Sequence, residues 1–291
     1  MLDLLVVPLA ASLVILAMNA YFGLHVIKRG VIFVDLAFAQ IAAVGSTVAF
    51  LFGAHGDSPL SYAFAFGFTL LGALFFSLTR SEDTQVSQEA YIGISYVVAS
   101  AVVILLASLT AEGAEHVKET LTGTLIWVTW PTVLRIAAVY ALIGLFHFVF
   151  RKQLLGVTFA PRTVGRVKLW DFIFYITFGI AVTFSVNQAG VLLIFSTLVI
   201  PAVIAYLFTS RFGAALTIAW ISGTIALAGG LVASFVWDLT TGPLLVVAFG
   251  VVLVLAVLAR GLVTRSQAAA AAVQRATAES SATLQNVSSS S

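Results

Sequence analysis

Asp35 and Gln40 stand inside an apolar run of the kind that crosses a membrane. The run is Gly30-Val-Ile-Phe-Val-Asp35-Leu-Ala-Phe-Ala-Gln40-Ile-Ala-Ala-Val-Gly45, directly after the basic pair Lys28-Arg29. A charge at membrane depth costs about 2.5–3.5 kcal/mol on insertion scales, so an ionisable residue there usually faces a protein interior and marks a pathway. The plainer role for such a residue is a buried hydrogen bond between helices. An aspartate presents hard oxygen ligands suited to divalent cations, whereas a carboxamide offers one weaker neutral oxygen. Asp35 is the only carboxylate well inside an expected span; Asp171 sits at a span entrance. Asn19 in the first span, with Asn187 and Gln188 between the sixth and seventh, completes the polar candidates for a translocation path.

No catalytic constellation accompanies them. His25, His55, His116 and His147 are scattered, with no HExxH, and no Gly-Lys-Ser/Thr phosphate loop occurs. With no cysteine, thiolate metal sites and cysteine nucleophiles are excluded. The chain is therefore not expected to be an enzyme, to bind a cofactor of its own or to hydrolyse ATP. His147, within an apolar span, reads as a packing histidine.

The elements that position these residues follow from composition. Of 291 residues, 61% are hydrophobic and 9% charged, against about 25% charged in ordinary soluble domains. A formal net charge of +2 gives no nucleic-acid surface. The fold class expected is an all-α polytopic membrane protein. A helical span needs about 20 mostly apolar residues, and segments near 4–24, 31–53, 60–79, 90–110, 131–150, 170–187, 191–208, 213–236 and 243–262 meet or approach that length. Nine crossings is the best count within a range of eight to ten. The seventh is the weakest, because it follows Asn187-Gln188-Ala189-Gly190 and contains Pro201, so a broken or re-entrant helix is an alternative. The N-terminal stretch lacks a basic region and a cleavage site, and reads as a first span.

Alternating crossings place Lys28, Arg29, Arg80, Arg151, Lys152, Arg162, Arg166, Lys168, Arg211, Arg260, Arg265 and Arg275 on one side, and only Lys118 and Arg135 on the other. The positive-inside rule then sets the N-terminus outside and the C-terminus in the cytoplasm of a cell (inner) membrane protein. The stretch Ala111 to Trp130, with Glu112, Glu115, His116, Lys118 and Glu119, reads as a solvated outer loop; its alternatives are a cation-attracting patch and an interfacial helix with Trp127 and Trp130 at headgroup level. Residues 1–264 form the expected transmembrane domain. Residues 265–291 form an Ala- and Ser-rich tail, expected to be disordered. Ala37, Ala39, Ala42, Ala43 and Gly45 in the second span, and Gly223, Gly229 and Gly230 in the eighth, are small residues that permit close helix contact.

Three blocks resemble the membrane permeases of metal-ion ABC importers, the zinc, manganese and iron uptake group. They are Lys28 to Gly45; Tyr91-Ile-Gly-Ile-Ser95 with Leu121-Thr-Gly-Thr-Leu125; and Ala189-Gly190-Val-Leu-Leu193 with Ile200-Pro201-Ala202, Ala205 and Thr209-Ser-Arg211, completed by Asp238-Leu-Thr-Thr-Gly242. The resemblance implies a permease dimer with a second copy or a paralogue, a cytoplasmic ATP-binding subunit that uses the ATP, and an extracytoplasmic metal-binding protein. It also implies that Pro201, Ala202, Ala205 and Arg211 form the block coupled to the ATPase, and that Asp35 and Gln40 lie on the route of the metal ion. The 154–168 loop is similar to the family's other cytoplasmic loop.

One departure bears on the substrate. The family's aspartate and histidine stand at i and i+4, on one helix face. Counting from Asp35 places Ala39 at the histidine position, and counting back from Gly45 places Gln40 there. A plain helix sets Asp35 and Gln40 about 140° apart, so a shared ligand shell requires a local bulge. Zinc selectivity does not follow. The alternatives are a permease for a metal chelate such as a siderophore or corrinoid, and a stand-alone secondary cation transporter using Asp35.

Overall fold

Ser58 and Ser87 begin two of the helices for a visible local reason. Each side chain accepts a hydrogen bond from the backbone amide three residues on, Ser61 N at 3.2 Å and Ala90 N at 3.3 Å, which satisfies one of the free donors at a helix start. Pro59 at the first helical position needs no amide partner. The computed structural model describes residues 2–54, 58–80, 85–109, 123 and 125–262, with ten helices and no strand among them. They are α1 (Leu2–Arg29), α2 (Val34–Leu51), α3 (Pro59–Leu78), α4 (Gln88–Ala107), α5 (Trp130–Val149), α6 (Arg151–Phe159), α7 (Val167–Ala189), α8 (Val191–Phe208), α9 (Phe212–Trp237) and α10 (Thr241–Leu262). All but α6 are long and apolar enough to span a membrane, nine among the described residues. The loop of Glu112, Glu115, His116, Lys118 and Glu119, the tail 265–291 and His55 lie outside the described residues.

Helix α2 packs between α3 and α4, α1 against α8 and α9, and α7 against α3. The core between them is aromatic. Phe22 of α1 meets Phe178 of α7 at 4.9 Å between centroids, and Phe38 of α2 meets Phe76 of α3 at 5.2 Å. Leucines and valines such as Leu71, Val97, Leu142 and Leu258 face outward, as a surface bathed in hydrocarbon requires.

Two expected boundaries are corrected. Hydropathy ends the first span near residue 24, but α1 continues to Arg29. It continues because His25 and Arg29 are buried against α6 and α7 instead of facing water. The seventh segment is neither broken nor re-entrant: α8 is one helix through Pro201. The break falls earlier, at Gly190, whose positive φ of 75° turns the chain from α7 into α8.

The small residues divide by role. A methyl group on Gly23 of α1 would lie 1.9 Å from the Leu198 carbonyl oxygen of α8, and one on Gly45 would lie 2.6 Å from the Phe64 carbonyl oxygen of α3. Those helix pairs approach until backbones touch, a contact open only to glycine. Gly223 and Gly230 are crowded by Leu16 and Leu245, whereas nothing lies within 4 Å of a methyl on Gly229. Gly23→Val is expected to cost at least the roughly 1–3 kcal/mol of an overpacked core, lowering the thermal midpoint of the purified protein. Gly229→Ala should leave it equal or higher, since alanine favours a helix by up to about 1 kcal/mol.

Candidate functional site

Helix α1 ends in a local device that delivers Asp35 to the interior. Gly30 adopts a φ of 69°. Its amide bonds to the Ile27 carbonyl at 3.2 Å, and the Val31 amide bonds to Val26 at 3.2 Å. This pair is a Schellman closure, in which a left-handed glycine satisfies the last carbonyls of a helix. The chain then re-enters helix at Val34. Glu89 of α4 fixes that entry: its Oε1 accepts from the Phe33 amide at 3.1 Å. The Phe33 ring stacks on Phe195 of α8, with centroids 6.2 Å apart.

Asp35 lies in the first turn of α2 and is 1% exposed. Neither of its carboxylate oxygens meets a hydrogen-bond partner, and Glu89 Oε2 is likewise buried and unpartnered. The field of the α2 N-terminus favours a negative charge there, but no protein cation is bonded to it. Gln40 is also buried. Because α2 is regular from Val34 to Leu51, Asp35 and Gln40 point about 140° apart. The bulge that would bring them together is absent.

The remaining polar candidates fall into separate places. Asn19 Nδ2 donates to Thr197 Oγ1 of α8 at 2.9 Å, and its Oδ1 is unpartnered. Gln188 lies at the far end of α7, next to Asn187, whose side chain is outside the described set. His147 is a packing histidine, as its setting suggests: Nδ1 meets the Tyr21 hydroxyl at 3.0 Å and Nε2 meets Thr177 Oγ1 at 2.8 Å. Among the described residues no group of three or more metal-ligating side chains is assembled.

The block expected to face a partner is rearranged. Pro201, Ala202 and Ala205 are buried within α8, where Ala202 packs against the face of Gly23. The small side chain of Ala202 serves the α1–α8 contact at Gly23. Arg211, in the turn between α8 and α9, is the exposed member of the four. On the same end stands α6, which leaves Arg151, Lys152 and Phe159 exposed. It folds back on a 3-10 turn, Pro161–Thr163, with Gly156 lying close against Val164.

Sequence reasoning missed the densest polar cluster. Asp171 of α7 is fully buried and its Oδ1 receives Arg29 Nη1 of α1 at 2.6 Å and Arg80 Nη1 beyond α3. Arg80 Nη2 also donates to the Val157 carbonyl of α6 at 3.1 Å, and Arg29 Nε donates to Thr158 Oγ1 of α6 at 3.0 Å. His25 Nδ1 lies 2.6 Å from the same hydroxyl. The Arg29 guanidinium stacks over the Phe174 ring at 3.8 Å, a further stabilising contact for a cation. The available signal was an acid placed among basic residues at the start of a span, although nothing in the sequence says which basic residues it pairs with.

An all-helical bundle of nine apolar spans, with one short basic helix at the end where the arginines gather and an unpaired carboxylate under the surface, defines a multi-pass membrane protein of the transport class. Residues 1–260 match the ABC 3 transport family, and the chain belongs to it. It is 30% identical over 201 residues to the chelated iron transport system membrane protein YfeC of Yersinia pestis, covering 67% of this chain and 68% of that protein. It is 21% identical to the manganese transport system membrane protein MntC of Listeria monocytogenes, covering 86% and 88%. Among solved structures it is similar to PsaBC from Streptococcus pneumoniae in complex with Fab, with a TM-score of 0.71 at 21% identity over 86% of this chain and 89% of that one.

The two buried acids should respond oppositely to neutralisation. Asp171→Ala leaves two guanidinium groups without their anion and should cost about 3–5 kcal/mol. Asp35→Asn replaces a buried carboxyl whose oxygens have no hydrogen-bond partner and should leave stability unchanged or raised. Thermal unfolding of the purified protein in detergent separates these outcomes.

Proposed function

We propose that this chain is the pathway-forming permease of an ATP-driven importer of divalent metal ions. Membership of the ABC 3 transport family over residues 1–260 carries the reading, and the names of the manganese and iron relatives support the cargo class. In this reading the chain binds no cofactor and hydrolyses nothing. A separate cytoplasmic ATP-binding subunit supplies the energy, an extracytoplasmic metal-binding protein delivers the ion, and a second copy or a paralogue completes the pathway. The basic end of the bundle faces the cytoplasm. The ATPase docks on α6 and the Arg211 turn, which are exposed there, and not on the buried Pro201, Ala202 and Ala205.

Asp35 lies on the ion route. A buried carboxylate with no partner offers hard oxygen ligands to a dehydrating cation. Gln40 stands on another face of α2 and acts separately, as a weaker neutral ligand. A metal chelate is the second reading, favoured by the chelated-iron relative and by the fold likeness to a structure titled as an inward-facing putative metal-chelate type ABC transporter, TM-score 0.61.

The test is uptake by the assembled transporter in proteoliposomes with manganese, iron, zinc and iron chelates offered in turn. ATP-dependent uptake of a bare divalent ion is expected; transport of chelates alone would favour the second reading, and uptake by this chain without an ATPase would overturn both. Asp35→Asn should lower uptake of the bare ion at least tenfold with normal assembly. Gln40→Ala should have a smaller effect, and Gln40→His should raise zinc uptake relative to manganese.

Orientation has its own measurement. Single cysteines placed in this cysteine-free chain at Ser87 and Thr163 should be labelled only from the cytoplasm, and one at Thr240 only from outside. Reversed labelling would move α6 away from any cytoplasmic partner.

A further inference from the structure

The short helix α6 is tied to the bundle by polar bonds as well as by its buried Leu154 and Val157. Thr158 and Val157, on its last turn, are buried. The Thr158 hydroxyl meets Arg29 and His25 of α1, and the Val157 carbonyl accepts from Arg80, which follows α3. Both arginines end on one carboxylate oxygen, Asp171 Oδ1 of α7. Ser77 at the end of α3 donates to the Lys168 carbonyl at 2.9 Å, so α3 is fastened to the start of α7 a second time.

We infer that Asp171 is a positioning residue for transport: it holds Arg29 and Arg80 in register with the last turn of α6, so that displacement of α6 moves α1 and α3 as one unit. The inference rests on the permease reading above and adds to it the residue through which the docking helix acts. Three features carry it. The guanidinium of Arg29 is gripped from Thr158 on one side and Asp171 on the other, so α6 cannot shift without pulling on α1. Arg80 repeats that bridge from Val157 to Asp171 on behalf of α3. Past Arg29 the chain makes the hydrogen-bonded Gly30 closure and a short turn before α2 begins at Val34, one residue ahead of Asp35. Movement of α1 is therefore delivered directly to the start of the helix that carries the unpaired carboxylate. Charge-assisted, shared hydrogen bonds are the stiff members of such a network, and buried side chains with discrete arrangements transmit displacement instead of absorbing it.

The test uses the complete transporter in proteoliposomes and reads ions moved per ATP hydrolysed. Asp171→Asn keeps shape and removes the anion; Asp171→Glu keeps the charge; Thr158→Val keeps shape and leaves the ion pairs intact while removing the hydroxyl on α6. For Asp171→Asn, ATP hydrolysis is expected within about twofold of the parent and ions per ATP reduced at least tenfold. Asp171→Glu should restore most of that ratio, and Thr158→Val should reduce it at least threefold. If Asp171→Asn fails to assemble, Thr158→Val decides alone. An unchanged ratio in an assembled variant, or hydrolysis and uptake falling in parallel, would overturn the inference. A parent chain that carries ions without any ATPase would instead overturn the permease reading, and with it the inference.

Discussion

One carboxylate oxygen holds the basic end of the molecule together. Asp171 lies with no exposure where two guanidinium groups converge, and each of those arginines reaches on to a different atom of α6. Removing ions from water is costly, and the cost is recovered only when geometry is good and the remaining donors are satisfied. Here the donors are Arg29 of α1 and Arg80 after α3, and they reach acceptors on both α6 and α7, so the bonds around one acid tie four elements together. That explains why α1 stays helical through polar residues, and why α6 lies against the bundle although its outer face is basic and solvated.

The middle of the bundle is held differently. Lipid chains are as apolar as leucine, so burying apolar surface does not by itself drive helices together there. Association depends on close packing, and the backbones of α1 and α8 touch at Gly23, as those of α2 and α3 do at Gly45. Asn19 adds one hydrogen bond across the α1–α8 seam to Thr197. The core thus has a tight, nearly apolar waist below a polar, charge-locked end. On the proposed coupling, α2, whose first turn is set by Gly30 and Glu89, is where a displacement of α1 would be felt.

The spans were legible because period and length are local properties: each apolar run matches a helix in the structure. Gly45 and His147 were legible for the same reason, as a small residue on a packed face and a histidine in an apolar span. What could not be read was pairing over distance. Asp171 meets partners 142 and 91 residues away, and no spacing rule links them. Pro201, Ala202 and Ala205 are buried within α8; small residues serve both for docking a partner and for docking a neighbouring helix, and the pattern alone does not distinguish the two. Gln40 stood near Asp35 in sequence, but regular helix geometry turns them to different faces.

Asp35 and Asp171 are the same residue type at similar burial, and their surroundings assign them opposite work. Asp171 is held through Oδ1 by two cations of the chain, while its Oδ2 has no hydrogen-bond partner. Asp35 has no such cation, and Glu89 beside the same turn adds a third unpartnered oxygen instead of a compensating positive group. A membrane protein that keeps a carboxylate unpaired carries the desolvation cost in every resting molecule. A proton or an arriving cation would relieve that cost, and in the proposed function the arriving cation is the metal ion. On the proposed coupling, Arg29 joins the two environments through the Gly30 turn, and the two acids would move as one unit.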